Sequence, residues 1–215
     1  MTEQEILEIY QKAGAVWFFD YKGDPKAPHA ELTSGLCSDG YVNSATVLAD
    51  PPTVQILGFW MTQRLGKRNI TKVDWVIGSA YSAITFSYEV ARQLGARHCF
   101  VEKDPANPKK MIWNRLIIPG HADVLQCEEL ITTLGTALEV RRAVDEGNPE
   151  PVRWLPDVAT AIYRPAKIHV GMTDVISLVA REVQTWKPEE YPLCAAGSPR
   201  LRPKQNWAEL TGRAA

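Results

Sequence analysis

One segment, residues 123–144, constrains the fold of this chain more than any other. It begins with a short, mostly apolar run and then reaches two adjacent carboxylates, Glu128 and Glu129. A turn rich in Thr and Gly follows, and after it an amphipathic segment with Ala137, Val140 and Val144 on one face. This order predicts a strand, a loop and a helix.

The start of the predicted helix favours a bound phosphate. Thr136 is followed three residues later by Glu139, which is the pattern of a capping box, so we expect the helix to begin at Thr136. A helix start presents unpaired N–H groups and positive dipole, and both attract an anion. Two carboxylates beside that anion would repel it, so they are expected to hold sugar hydroxyls or a divalent cation of the same ligand. A sugar phosphate meets both requirements. An acidic first turn on a capped helix, with no ligand, is the alternative.

The composition limits the class of protein. The 215 residues, 45% of them hydrophobic, are enough for one α/β domain with a full core and a small appendage. A formal net charge of −1 disfavours a protein that binds nucleic acid by neutralising phosphates. The four cysteines show no metal-ligand spacing, which favours reduced thiols in the cytoplasm. We expect no signal peptide and no membrane partner, because no apolar run approaches the length of a membrane span.

Helical and strand-like patterns alternate along the chain. The predicted elements are helix 2–13, hairpin 29–43, helix 51–68, strand 73–77, helix 83–94, strand 96–101, strand 158–163 and strand 175–179. Residues 104–114 have the composition of a loop, and Gly95 is a suitable residue to end a helix. The alternation predicts a parallel sheet. Trp186 and Trp207 are expected to hold the tail against the domain.

The acidic pair and the turn after it resemble the phosphoribosyl pyrophosphate (PRPP) motif of the type I phosphoribosyltransferases. The resemblance implies that Glu128 and Glu129 meet the ribose hydroxyls and take part in catalysis. It also implies that the following loop wraps the 5′-phosphate. The loop residues so assigned are Thr132, Thr133, Leu134, Gly135 and Thr136.

A second segment, His29–Asn43, is similar to the Thr-Ser-Gly-x-x-Ser-x-x-Tyr segment of the orotate phosphoribosyltransferases, where a hood closes over the base. The resemblance implies base-binding roles for Ser34, Gly35, Ser38 and Tyr41. His29 itself is expected to be a surface loop residue. A Pro-Leu-Cys-x-x-Gly run in the tail resembles the C-terminus of the shorter members of this branch, and its Cys194 is not expected to be catalytic.

Two further segments lie where the family binds pyrophosphate. The first is a tight turn, and the PRPP-binding residues assigned to it are Gly78, Ser79, Ala80, Tyr81 and Ser82. The second begins at Lys103, a catalytic lysine by resemblance, and continues into a mobile loop that carries Lys109 and Lys110. A cation there would neutralise the leaving group as its charge develops. Closure of the loop would exclude water from the activated sugar.

The resemblance implies an α/β protein with the type I phosphoribosyltransferase fold, in which helices flank a parallel sheet and a small hood covers it. We expect a single domain over residues 1–215, with a core from about 50 to 164 and a hood from about 14–48 and 165–215. The implied reaction transfers ribose 5-phosphate from PRPP to orotate, giving orotidine 5′-phosphate and pyrophosphate. Mg²⁺ is expected to be held through PRPP near Glu128 and Glu129 rather than by direct protein ligands. The resemblance also implies a homodimer.

Departures from the family pattern leave alternatives open. Leu138 stands where many members have an arginine that meets the orotate carboxylate, Leu134 stands where the phosphate loop usually has a glycine, and the pyrophosphate turn lacks its glycines. Besides an orotate transferase, the sequence therefore allows a transferase of the same fold for another nucleobase. It also allows a non-catalytic module that binds PRPP or a nucleotide.

Overall fold

A computed structural model of the protein describes residues 1–108, 110–168 and 175–212. The helices are α1 (Glu3–Lys12), α2 (Ser44–Leu48), α3 (Pro51–Gly66), α4 (Ala83–Leu94), α5 (Gly135–Gly147), α6 (Pro192–Ala195) and α7 (Trp207–Thr211). The first strands are β1 (Val16–Phe18), β2 (His29–Glu31), β3 (Cys37–Ser38), β4 (Gly40–Val42), β5 (Trp75–Ser79) and β6 (Arg97–Lys103). The remaining strands are β7 (Met111–Ile112), β8 (Asp123–Ile131), β9 (Arg153–Tyr163), β10 (Val175–Ala180), β11 (Thr185–Trp186) and β12 (Arg200–Leu201).

A six-stranded sheet in the order β10-β9-β8-β5-β6-β7 forms the core of the described chain. All its pairs are parallel except β6–β7, so the strands other than β7 end at the same edge. Helices α3 and α4 pack on one face, where Leu57 and Phe86 join a buried cluster with Leu125. Helix α5 covers the other face through Val140 and Val144. Coverage of both faces explains why the strands read as nearly continuous apolar runs.

Local chemistry sets the helix ends. The Thr2 hydroxyl and the Glu5 carboxylate form a reciprocal capping box at the start of α1. Asp50 accepts the Thr53 N–H at 3.1 Å before the prolines that open α3. Helix α4 ends at Gly95, whose φ of 66° is left-handed and suits glycine. The predicted helices 2–13, 51–68 and 83–94 are confirmed to within two residues at each end.

Two smaller sheets make up the hood, which we define as the four-stranded sheet β11-β3-β2-β12 together with the pair β1–β4. The predicted hairpin within 29–43 is confirmed, because β2 and β3 pair antiparallel. The C-terminal segment completes this sheet through β11 and β12. Trp186 stacks on Tyr191 with ring centroids 4.2 Å apart, and Trp207 lies 5.8 Å from the Tyr41 ring. Trp186 also packs against the buried cluster that contains Phe19 and Cys37, so both tryptophans hold the tail as expected.

Three expectations differ from the structure. Strand β10 belongs to the core sheet, so only part of 165–215 belongs to the hood. Residues 104–114 contain β7, which pairs with the end of β6. His29 is fully buried in β2, because the C-terminal segment covers it. No helix in the described ranges is long and apolar enough to cross a membrane.

Candidate active site

A cleft of about 630 Å³ lies between the carboxyl edge of the core sheet and the hood. Ligand sites in open α/β sheets form at this edge. Its lining residues come from the hood, from the core strands and from the start of α4: Leu32, Thr33, Ser34, Tyr41, Val42, Asn43, Ser44, Ala45, Ser82, Glu129, Leu130, Arg164 and Lys204.

The two adjacent carboxylates occupy different environments. Both lie within β8, where successive side chains point to opposite faces. Glu129 is half-buried and lines the cleft, whereas Glu128 is only 2% exposed. The Glu128 carboxylate accepts the Ser79 hydroxyl at 2.5 Å and the Gln126 side-chain amide at 3.1 Å. The structure therefore brings Glu129 to the cleft and places Glu128 behind it, which sequence reasoning did not distinguish.

Burial controls the charge of this pair. It raises the pKa of Glu128 from 4.5 to about 7, and the Glu129 charge adds to the increase, while the bonds from Ser79 and Gln126 oppose it. Burial also raises the pKa of Glu129. Glu128 thus changes charge near neutral pH while it holds the end of β5 to β8.

The predicted pyrophosphate turn extends from β5 to the start of α4. A Cβ on Gly78 would lie 2.5 Å from the Ser87 hydroxyl, so glycine allows α4 to pack closely on β5. The Ser79 hydroxyl is bonded to Glu128, and a cis peptide joins Ala80 to the exposed Tyr81. Ser82 lines the cleft at the start of α4, and its side chain makes no capping bond. The start of α4 therefore brings a free hydroxyl and a positive dipole to the cleft.

The predicted phosphate loop has a different helix start from the one expected. Helix α5 begins at Gly135 after Leu134, and no side chain caps it. The predicted capping box is wrong, because Glu139 pairs with Arg142 at 2.5 Å and accepts the Met111 N–H at 2.9 Å. Met111 belongs to β7 and Arg142 to the next turn of α5. The sequence around the helix start does not show that Glu139 contacts them.

The backbone of this loop is relaxed. Leu134 has φ −77°, so the leucine in place of the usual glycine is not strained. A Cβ on Gly135 would meet only the Thr133 hydroxyl, at 3.6 Å. Thr132 is half-buried, and Thr133 and Thr136 are exposed. The loop therefore offers accessible hydroxyls beside an uncapped helix start, an arrangement suited to phosphate.

Arg164 is a charged cleft residue that sequence reasoning missed, as is Lys204. It follows β9 directly, its backbone N–H donates to Ile131, and its side chain is half-buried in the cleft. The Nε atom is buried and has no hydrogen-bond partner among the described residues. Burial lowers the Arg164 pKa, and the nearby Tyr41 opposes that change. A desolvated guanidinium of this kind calls for an anionic ligand. An arginine directly after an apolar strand was the available signal.

Leu138 does not determine whether this cleft contains a cation. It lies on α5, is 65% exposed and is not part of the cleft lining. The cleft therefore has a cation even though position 138 is not arginine, because Arg164 lines it.

The hood residues divide into two groups. Ser34 and Tyr41 line the cleft, and their contacts with a base stay a prediction. Gly35 adopts φ 82° in the turn between β2 and β3, a conformation that suits glycine. Ser38 is fully buried, and its hydroxyl donates to the Gly40 carbonyl at 2.8 Å, with the Gln184 carbonyl 3.1 Å away. The structure therefore does not bring Ser38 to the cleft, because its hydroxyl joins β4 to the residue before β11 inside the hood.

Two of the predicted lysines, Lys103 and Lys110, are not part of the cleft lining. Lys103 is exposed at the end of β6 and pairs with Met111 of β7. Lys110 is also exposed, and its carbonyl accepts the Asp104 N–H at 3.0 Å. Lys109 lies outside the described residues. Their predicted contacts with pyrophosphate remain predictions.

Known proteins provide a comparison for this arrangement. No family model matches the chain. The chain is 31% identical over 203 residues to the orotate phosphoribosyltransferase of Heliobacterium modesticaldum, covering 94% of this chain and 98% of that one. It is 33% identical over 205 residues to the orotate phosphoribosyltransferase of Pelotomaculum thermopropionicum, covering 94% and 97%.

Solved structures share the fold. The orotate phosphoribosyltransferase of Aeropyrum pernix matches with a TM-score of 0.54 and 16% identity, over 81% of this chain and 93% of that chain. The adenine phosphoribosyltransferase of Thermoanaerobacter pseudethanolicus matches with a TM-score of 0.51 and 16% identity, over 66% and 88%. The predicted type I phosphoribosyltransferase fold is confirmed.

Proposed function

The chain belongs to the orotate phosphoribosyltransferase family, and we propose that it transfers ribose 5-phosphate from PRPP to orotate, giving orotidine 5′-phosphate and pyrophosphate. The observation that carries the choice of base is Arg164, whose buried Nε lacks a partner among the described residues and whose side chain shares a cleft with Glu129. Orotate carries a carboxylate, which a guanidinium can bind through two parallel hydrogen bonds. The other end of the cleft then receives the sugar.

Other residues around the cleft bind the ribose, the 5′-phosphate and the pyrophosphate. Glu129 orients the ribose hydroxyls and stabilises positive charge that develops on the ring in the transition state. The start of α5, with Thr133 and Thr136, binds the 5′-phosphate, and the start of α4 with Ser82 faces the pyrophosphate. Lys103 is proposed to reach the pyrophosphate when the loop after β6 closes. Glu128 acts as a positioning residue, because it bonds to Ser79 rather than reaching the cleft.

The resemblance also implies Mg²⁺, and the residues fit an ion held mainly by the substrate. Glu129 offers one half-buried carboxylate in the cleft, while Glu128 is bonded to Ser79 and Gln126. Mg²⁺ commonly binds through one or two carboxylates together with substrate phosphates. When bound, the ion neutralises charge on the pyrophosphate.

Turnover tests the proposal directly. The protein is incubated with PRPP, Mg²⁺ and orotate, and loss of orotate and release of pyrophosphate are followed together. Adenine, hypoxanthine and uracil serve as a panel of alternative bases. We expect turnover with orotate; turnover with a different base alone would select the same-fold alternative. Binding of PRPP without consumption of any base would select the non-catalytic alternative.

Assembly and compartment belong to the same proposal. We propose a homodimer, as the family resemblance implies, and light scattering on the purified protein tests it. We also propose a cytoplasmic location, which the free thiols of Cys37, Cys99, Cys127 and Cys194 support.

A further inference from the structure

Three side chains that are distant in sequence meet within the hood, away from the substrate cleft. His29 comes from β2, Cys37 from β3 and Cys194 from α6. Their ligand atoms all lie within 4.8 Å of one another. The Cys37 and Cys194 sulfurs are 3.4 Å apart, and the Cys194 sulfur is 3.3 Å from His29 Nε2. We propose that this cluster is a binding site for a thiophilic divalent cation, with zinc as the expected ion.

The spacing suits a small tetrahedral ion. Zinc with bonds of about 2.3 Å to sulfur and about 2.0 Å to nitrogen separates its ligand atoms by roughly 3.5 to 3.8 Å. The Cys194 sulfur lies slightly closer than this to the Cys37 sulfur and to His29 Nε2, and the third pair of ligand atoms lies within 4.8 Å, so a small adjustment of the side chains admits the ion. Thiolate and imidazole together are the ligand set that favours zinc over magnesium or calcium.

The hydrogen bonds around His29 present the correct nitrogen. The Ser198 hydroxyl donates its single hydrogen to the Ala27 carbonyl at 2.6 Å. It lies 2.7 Å from His29 Nδ1, so it must accept a hydrogen from that nitrogen. The proton is therefore on Nδ1, and the lone pair on Nε2 faces the sulfurs. An outer hydrogen bond that fixes the tautomer in this way is a common feature of metal-binding histidines.

Charge balance also fits a buried cation. Binding displaces the two thiol protons to solvent, and two thiolates with a neutral imidazole then neutralise the charge of the ion. His29 and Cys37 are fully buried, so a neutral complex avoids leaving an uncompensated charge there. Cys194 is half-exposed, so water can reach the cluster and supply a fourth ligand.

An ion here would fasten the C-terminal segment to the hood beside the cleft. The turn that joins β2 to β3 supplies Leu32, Thr33 and Ser34 to the cleft lining, and Lys204 follows β12. The proposal also assigns a role to the Pro-Leu-Cys-x-x-Gly run, which the transferase reaction leaves unexplained. Removal of the ion is expected to lower thermal stability.

The test uses the full-length protein, reduced and freed of metal, and titrated with Co²⁺ and then with Zn²⁺. We expect one Co²⁺ per chain, with thiolate-to-cobalt charge-transfer absorption and tetrahedral ligand-field bands that Zn²⁺ abolishes. Cys194→Ser and His29→Gln should lose these bands, whereas Cys99→Ser should retain them, since Cys99 lies in the core sheet. Circular dichroism checks that each variant is folded, and the partly exposed Cys194 is the site least expected to disturb folding.

A second measurement does not depend on any variant. Chelator should lower the melting temperature of the zinc-loaded wild-type protein, and added Zn²⁺ should restore it. Failure of the reduced protein to bind Co²⁺, or equal binding by folded Cys194→Ser, would overturn the proposal. A Cys37–Cys194 disulfide in unreduced protein that binds no cobalt after reduction would also overturn it and assign the cluster to thiol redox chemistry.

Discussion

Replacing Glu128 with glutamine should change how stability depends on pH. Glu128 is 2% exposed, and burial raises its pKa from 4.5 to about 7. Below pH 4.5 the carboxyl is protonated in both the folded and the unfolded chain, so its contribution to stability is fully present. As pH rises from 4.5 to 7 the unfolded chain loses its proton first, which favours unfolding. Above about pH 7 the folded chain bears the full free-energy cost of keeping an ionised Glu128 buried.

The size of the effect follows from the shift. At about 1.4 kcal/mol per pKa unit, moving from 4.5 to about 7 corresponds to roughly 3 kcal/mol of stability lost at high pH. Most of that change, about 2 to 3 kcal/mol, falls between pH 5 and pH 8. Glutamine is neutral throughout, so it removes this dependence even if it bonds less well to Ser79 and Gln126. The expected signal is therefore a difference in unfolding free energy between variant and wild type that changes with pH, and not a constant difference.

Urea unfolding of the wild type and of Glu128→Gln at several pH values between about 5 and 8 measures this change. The difference in unfolding free energy, variant minus wild type, should become more positive by about 2 to 3 kcal/mol across the range. Glu8→Gln, at an exposed site on α1, is the matched control and should show no such trend. A difference in unfolding free energy for Glu128→Gln that does not change with pH would refute the link between burial and charge at this site.

Three further changes test other parts of the site and fold. Glu129→Gln should lower kcat/KM for PRPP by at least about 10²-fold, the scale of losing one preorganised electrostatic group, and steady-state kinetics will show whether it does. Lys103→Ala should lower kcat by a similar factor if the loop after β6 closes over pyrophosphate; unchanged kcat would remove Lys103 from the site. Gly147→Ala should destabilise by about 1 to 3 kcal/mol, because its Cβ would press on the Trp113 carbonyl, as urea unfolding can measure. Gly66→Ala, at the end of α3 with open space around it, is the control and should be close to neutral.

Much of the fold could be predicted because its signals are local. The capping box at Thr2, the prolines before α3 and Gly95 after α4 each act within a few residues of a helix end. The alternation of apolar strands and amphipathic helices then predicts the parallel sheet. The acidic pair, near the end of β8, also predicted a site at the carboxyl edge of that sheet.

The features that sequence reasoning missed depend on contacts between distant segments. Glu139 is drawn away from a capping role by β7 and Arg142. His29 appeared to be a loop residue because the strand that covers it, β12, lies about 170 residues later. The different roles of Glu128 and Glu129 were accessible in principle, since adjacent residues in a strand face opposite sides. Extending the predicted strand past Cys127 would have shown it.

The choice of orotate as the base depends most on the assignment of Arg164 to the carboxylate of that base. Truncating one partner of a buried charged pair costs about 2 to 5 kcal/mol, or roughly 30-fold to 4,000-fold in kcat/KM. Leu138→Ala, on the exposed face of α5, is the control and should behave as wild type.

The decisive measurement is the KM of Arg164→Gln for orotate at saturating PRPP, set beside its KM for PRPP at saturating orotate. We predict that KM for orotate rises by about 10²-fold or more while KM for PRPP stays within about 3-fold of wild type. An unchanged KM for orotate, or equal losses toward both substrates, would contradict the assignment.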